Sequence, residues 1–454
     1  MKLTINNFAL GLLTSLAVLS TSCSEMLDLN PPKNQLTIDK VFADSASALA
    51  ATVQVYSSLA GVYSNLNRQL NVYTDEYVSN ASNLIDFYQN QVTPENTAIS
   101  QVWNRFYSVI YQCNNVLEQT RNPINYSEAF GQQLRMEALF IRSFCFYYLS
   151  NMFGDVPLIT STDVNRNAKA SRTKKESVTD QIIADLTRVK ESLSPIYSGG
   201  GKARVNKWAA AALLVRAYYS IGQWENAERL ADEVIGSTMY TPFAAPENAF
   251  KAESRETIFE LWNANGFVPE TSLVLTASTN PPVFLSTQLI ESFSEEDLRR
   301  KQWVTEVIVT VNDEPVTHYL PYKYRNTTNV FEKPEYLVTL RCAEQFLIRA
   351  ECRARRGEID GAIADLNVIK SRAGLPALEQ GAAAEDVLNE IATEWRREMF
   401  GEWGNRFFYL QQNGRMDDVL EAVKPNWRNG VSALLPIPQN EITYNHNLRQ
   451  NEGY

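Results

Sequence analysis

The chain has 454 residues, 44% of them hydrophobic and 21% charged, a composition that can bury a large core and that excludes wholesale disorder. With 42 Lys and Arg against 52 Asp and Glu the formal net charge is −10, and no basic cluster runs against it, so the attraction to phosphates that nucleic-acid binding requires is missing. The 21 Tyr, 20 Phe and 8 Trp beside only 2 His favour ring stacking over acid–base chemistry.

The N-terminus opens with Lys2, an apolar stretch from Phe8 to Leu19, and the small residues Ser20, Thr21 and Ser22 directly before Cys23. That order reads as an export signal over residues 1–22 rather than a fold element, and the apolar stretch falls short of the roughly 20 residues a spanning helix needs. Small residues before a cysteine are what lipoprotein processing requires, so Cys23 is the expected lipidation site and the membrane is reached through that lipid. Ser20 stands where a Leu or Val is usual, and the alternative is ordinary secretion with Cys23 left as a free thiol. Residues 23–38 are expected to form an extended tether, because Pro31 and Pro32 cannot continue a helix. A single domain is expected over 39–454.

Amphipathic periodicity predicts helices from Val41 to Ser64, Ile99 to Thr120, Glu128 to Met152, Val178 to Leu193, Lys207 to Ile221 and Glu225 to Ile235. The stretch from Ala211 to Ile235 has the pattern of a tetratricopeptide-like helix pair: Ala217 and Ala227 permit close approach, Gly222 ends the first helix, and Tyr218 with Trp224 fill the gap. A second copy has Gly357 at its turn and Ala350, Ala354 and Ala362 as close contacts, and a weaker one runs through Ala138, Tyr147 and Gly154. Long stretches separate the copies, so a regular solenoid is not expected. Residues 236–335 change to short alternations and turn residues, predicting a loop-rich insert with one or two hairpins, one turning at Asn312-Asp313. Helices resume at Tyr336 and end near Val423, before an extended, packed tail. Cys113, Cys145, Cys342 and Cys352 lie in apolar helical patterns without metal-ligand spacing, so buried free thiols are expected, with a Cys145 disulfide to another helix as the alternative.

The segment from Leu134 to Ile159, an Arg-containing helix running into Gly-Asp-Val-Pro-Leu, resembles the signature of the SusD/RagB family. Three further segments agree in order: Leu340 to Leu375, Glu394 to Phe407, and the Pro-Ile-Pro and Gln-Asn-Glu-Gly-Tyr tail from Leu435 to Tyr454. His446, Glu452 and Trp403-Gly404 depart from the family pattern at scaffold positions. The resemblance implies a mainly α, SusD-like fold. It also implies an outer-membrane lipoprotein of Bacteroidota, facing the exterior, that hands glycans or, in some members, peptides to a SusC-type TonB-dependent transporter.

Catalysis is disfavoured by composition. His318 and His446 are the only histidines, too few for a triad or a His-rich zinc site, and no metal or other cofactor is expected. Glu394 and Glu398 fall one helical turn apart, but they alternate with Arg396 and Arg397, the pattern of a solvated or ion-paired face, rather than of a glycosidase pair. Arg142 is expected to pair with a buried carboxylate or cap carbonyls, Asp155 to fix the turn after Gly154, and Trp103 and Trp208 to be core.

A sugar offers an apolar C–H face to aromatic rings and hydroxyls to amides and carboxylates. Two stretches fit. The first is the loop-like Tyr73 to Asn90, with Asp75, Asn83, Phe87 and Tyr88 as candidates; the resemblance places family ligand groups partly there. The second is the insert, with Trp262, Asn263 and Phe267 near one end and Tyr322 and Tyr324 near the other. The competing readings are peptide binding on the same route, a non-catalytic protein-interaction scaffold, and a glycoside hydrolase.

Overall fold

The computed structural model describes residues 38–268, 271, 281–327 and 333–454; the expected export signal, Cys23 and the tether up to residue 37 lie outside the described residues. The chain enters through α1 (Ile38–Val41) and the long α2 (Ser45–Tyr73), which Asp44 caps by accepting from the Ser47 N–H at 2.9 Å. Helix α2 runs on to Tyr73 rather than stopping near Ser64, although Asn65, Asn67, Arg68 and Gln69 interrupt its apolar pattern. Asn67 is buried because its amide donates to the Gly401 carbonyl and accepts from the Gly404 N–H, both at 3.0 Å. A Cβ on Gly404 would stand 2.5 Å from the Leu70 side chain, and its φ is +66°, so glycine is required for this approach. Trp403 fills the space beside it, its ring 4.9 Å from Tyr63 and 5.2 Å from Phe144. The departure from the family pattern is thus absorbed in the core.

After strand β1 (Tyr77–Ser79), a 3-10 turn and the short α3 (Ile85–Tyr88), α4 (Thr97–Gln119) starts at Asn96, whose side chain accepts from the Ala98 and Ile99 N–H groups at 3.0 and 3.3 Å. The segment expected to be loop-like is therefore largely regular. Helix α5 (Glu128–Phe153) is buried at every residue from Met136 to Phe153, which makes it the central element, enclosed by α2 and α4, then α7 (Lys175–Ser192) and α8 (Lys207–Ser220) beyond the single turn α6 (Val164–Asn167). Arg142 on α5 meets Asp185 at 2.9 Å, the expected carboxylate partner, and also donates to Asn114 Oδ1. The Asp155 carboxylate, expected to fix the turn after Gly154, accepts from the Lys175 N–H at 2.9 Å and caps α7.

Helices α8 and α9 (Trp224–Gly236) form the first expected pair, with Gly222 at φ +71° between them and Ala217 and Ala227 buried at the crossing. Tyr219, not Tyr218, fills the gap, 5.5 Å from Trp224 and 5.7 Å from Trp395. Trp103 is buried as expected, whereas Trp208 is only half-buried, with Lys207 Nζ 5.1 Å from its ring.

The insert then builds β2 (Thr257–Leu261), β3 (Val283–Leu285), α10 (Thr287–Ser292), α11 (Leu298–Trp303), β4 (Val304–Val311) and β5 (Glu314–Pro321). Strands β4 and β5 are a hairpin whose turn residues Asn312 and Asp313 have φ of 52° and 65°, the left-handed pair that a two-residue hairpin turn favours. The other insert strands find partners outside it: β2 pairs antiparallel with β6 (Leu337–Arg341), and β3 with β1. Beyond the insert, α12 (Cys342–Arg355) and α13 (Ile359–Arg372) form the second pair around Gly357, at φ +84°. Helix α12 packs directly on α9, so the two copies, far apart in sequence, stack as neighbours. Helices α14 (Ala384–Met399), α15 (Asn405–Gln412), α16 (Met416–Leu420) and α17 (Gln439–Tyr444) close the frame. The fold is mainly α, with short strands. No helix among the described residues is long and apolar enough to cross a membrane.

Candidate functional site

Three groups of side chains bear on function: the acids of α14, the segment from Asp75 to Tyr88, and the two ends of the insert. Glu394 and Glu398 are fully buried rather than solvated. Arg299 reaches Glu394 at 2.7 Å and Glu398 at 3.2 Å, Arg397 reaches Glu394 at 2.7 Å, and Arg341 and Arg372 also bind Glu398. Burial opposes ionisation of Glu398, but Arg372, Arg341 and Arg299 outweigh it and hold its carboxyl well below the usual range. A carboxylate saturated with guanidinium groups and closed to solvent has no proton to deliver to a scissile bond.

Of the first-stretch candidates, Asp75 is a structural acid. It is buried, and it accepts from Arg406 Nε at 2.8 Å and Arg406 Nη2 at 3.0 Å, with Arg396 Nη2 at 2.9 Å. Burial would raise its carboxyl, yet the two arginines hold it down to about 2. All its reach is spent on anchoring the chain into β1. Phe87 is 1% exposed and meets the Tyr73 ring edge-on at 6.4 Å, so it is core and offers no face to a ligand. Tyr88 is half-buried, with Lys424 Nζ 4.7 Å from its ring.

Asn83 is exposed, on the 3-10 turn, and lines a pocket of about 280 Å³. Its walls carry the amides of Asn65, Gln69 and Gln101, the Arg68 guanidinium and the Asp86 carboxylate. Arg68 donates to Asn65 Oδ1 at 3.3 Å, and Asn96 Nδ2 donates to Asp86 Oδ2 at 2.8 Å, so neighbouring bonds orient these groups. Such a lining offers donors and acceptors at fixed angles, which suits a polyhydroxylated ligand. The contributions of α2 were missed in the sequence, although Asn65, Arg68 and Gln69 at i, i+3 and i+4 put three polar groups on one helical face.

The two ends of the insert do come together. The Gly266 carbonyl accepts from the Glu335 N–H at 2.9 Å and from Asn326 Nδ2 at 3.2 Å, which sets 262–267 beside 322–326. Trp262 is 55% exposed, its ring 6.5 Å from Tyr336. Asn263 turns its side chain to the Asn265 N–H at 2.7 Å, Phe267 is half-buried, and Tyr322 lies under the Arg325 guanidinium at 4.9 Å. Tyr324 is the exception: it is 9% exposed, packs on Phe250 at 5.2 Å and accepts from the Val338 N–H at 3.0 Å, so it belongs to the core. A further aromatic pair was missed, Phe284 stacked on His318 at 4.0 Å. Period-two alternation carried the signal, since Val283 and Leu285 are buried and Phe284 faces the other way.

Among the described residues no group of three or more His, Cys, Asp or Glu could hold a metal ion. Cys113, Cys145, Cys342 and Cys352 are buried free thiols, and burial pushes Cys113 up to about 12, which removes thiolate reactivity.

A family model described as starch-binding, associating with outer membrane, matches residues 25–219, and one described as SusD family matches residues 167–454. The chain belongs to the SusD/RagB family. It is 20% identical to SusD-like protein P25 of Formosa agariphila, over 95% of this chain and 97% of that one. It is 33% identical to the starch-binding protein SusD of Bacteroides thetaiotaomicron over 121 residues, 25% of this chain and 21% of that one. Among solved structures it is similar to a laminarin binding SusD-like protein, with TM-score 0.76 and 22% identity over 91% of this chain and 100% of that one.

Proposed function

We propose that this SusD/RagB protein captures an oligomeric glycan and does no chemistry on it. The observation that carries the reading is the amide-walled pocket around Asn83, whose polar groups are oriented by neighbouring hydrogen bonds. Relatives described as starch-binding and laminarin binding support a carbohydrate over a peptide. The buried, arginine-saturated Glu394 and Glu398 argue against the hydrolase reading. The protein is anchored through lipidated Cys23 to the outer face of the outer membrane and passes its ligand to a SusC-type TonB-dependent transporter.

The test is calorimetry of the folded domain, residues 39–454, against malto- and laminari-oligosaccharides and, in parallel, against mixed short peptides. Saturable binding of at least one glycan series is expected. Binding of peptides alone, or of nothing, contradicts the reading. Loss of outer-membrane fractionation in Cys23→Ala, and co-purification of an outer-membrane barrel with the parent, test the anchor and the partner.

A further inference from the structure

Helix α4 carries a second feature one turn beyond the amide pocket. Trp103, Tyr107 and Tyr111 recur every four residues along one face and line a groove of about 370 Å³, a volume typical of small-ligand sites. Trp103 and Tyr107 form its base, their rings 5.0 Å apart, and the Tyr107 hydroxyl is spent on the Pro157 carbonyl at 2.8 Å. The rim is different. Tyr111 is 40% exposed, Val164 of α6 is 68% exposed, and Tyr444 of α17 is 82% exposed. A Tyr exposed to this extent at the edge of an apolar groove has a ring face to give.

The polar content of the groove selects among occupants. No Lys or Arg is among the described lining residues, and their single carboxylate, Glu441, is hydrogen-bonded by the Trp103 side chain. Asn104 offers an exposed amide, while the amides of Asn167 and Asn445 donate to the Ser161 and Ala170 carbonyls at 2.8 and 2.7 Å and keep only their remaining capacity for a ligand. Exposed rings with amides and no cation suit a neutral polyhydroxylated chain, and they give an anionic ligand nothing to pair with. The groove and the amide pocket share no lining residue, but they are neighbours along α4. Gln101 lines the pocket and Asn104 the groove; at 1.5 Å rise per residue they stand about 4.5 Å apart along the axis of α4.

We propose that this groove is a second carbohydrate-binding subsite, taking the continuation of a neutral oligosaccharide whose first units occupy the pocket at Asn83. The inference rests on the glycan-binding reading and adds a length requirement to it. Long oligosaccharides span both sites, and a disaccharide reaches only one.

The experiment is calorimetry of the parent, Tyr444→Ala, Tyr444→Phe and Tyr111→Ala with maltose, maltoheptaose, laminaribiose and laminariheptaose. For the series that binds, each alanine variant weakens the heptasaccharide about fivefold, the loss of one stacked ring, leaves the disaccharide unchanged, and keeps the melting temperature. Tyr444→Phe retains parent affinity, because the ring and not the hydroxyl makes the contact. If Tyr444→Ala and Tyr111→Ala bind the heptasaccharide like the parent while Asn83→Ala does not, the groove is not a subsite and the pocket reading survives. If the parent binds no oligosaccharide, both fall. If the alanine variants keep glycan affinity and instead lose a co-purifying membrane protein, the groove is a docking surface and the proposal is overturned.

Discussion

Arg406 holds Asp75 through two parallel charge-assisted hydrogen bonds, Nε to Oδ1 at 2.8 Å and Nη2 to Oδ2 at 3.0 Å. The pair joins α15 near the C-terminus to the residues that lead into β1, and both side chains are withdrawn from water. Such bidentate geometry offsets the desolvation of two ions only while both are present. Asp75→Ala, which strands the buried Arg406, is therefore expected to destabilise the fold by about 3–5 kcal/mol, and Arg406→Ala by less, because Arg396 still pairs with Asp75 at 2.9 Å. The double variant is expected to cost less than the sum, which urea unfolding checks.

The acid beside it gives the pH dependence a distinctive shape. Burial pushes Glu76 up to about 7, against Asp75 held down to about 2. Asp75 releases its proton more readily folded than unfolded, so the stability it contributes is complete above about pH 4 and is lost as pH falls toward 2. Glu76 works in the opposite sense. The folded protein keeps a proton that the unfolded chain releases near 4.5, so stability falls as pH rises from about 4.5 to 7 and then levels. Glu76→Gln is expected to flatten that decline in part, leaving the share of Glu260, which burial also pushes up to about 7. Urea midpoints across this range measure it.

The buried ion cluster on α14 predicts a separation of stability from binding. Glu398→Ala leaves Arg341, Arg372 and Arg299 facing one another without their shared carboxylate. A loss of at least about 3 kcal/mol is expected. In contrast, the milder Glu394→Gln is expected to lower the melting temperature while keeping glycan affinity. Calorimetry after thermal melts reads both, and a reducing-sugar assay on the parent is expected to stay at background.

Phe87 and Trp262 should divide in the same way. Phe87→Ala removes a ring from the core against Tyr73 and is expected to cost about 3–5 kcal/mol of stability. Trp262→Ala removes a ring that is more than half exposed, and its melting temperature is expected to change little. Differential scanning calorimetry of the two variants makes the comparison.

How far the sequence could be read follows from where each element finds its partner. The helix pairs at Gly222 and Gly357 were legible because amphipathic period, small-residue contacts and turn glycine all act locally. The far end of α2 was not, because Asn67 is buried by contacts to Gly401 and Gly404, hundreds of residues on; its polarity marks a tertiary hydrogen bond and no helix end. The same distance hid the pairing of Tyr77 with Leu285 in the β1–β3 ladder. Residue type identifies Asn83 and Trp262 as available chemistry for a ligand. Residue type alone does not separate them from Asp75, Phe87 and Tyr324, since an acid or a ring serves a core as readily as a ligand. What separates them is burial, set by Arg406, Tyr73 and Phe250 from other parts of the chain.

The most direct measurement is calorimetric titration of the parent, Asn83→Ala and Asn83→Ala with Arg68→Ala, using the oligosaccharide series that the parent binds. Each lost polar contact is expected to weaken binding by about 1 kcal/mol, roughly fivefold, and the double variant by more than tenfold, with unfolding midpoints unchanged. Parent-like affinity in the double variant would contradict the account, because the amide-walled pocket between α2, the 82–84 turn and α4 would then not be where the glycan is held.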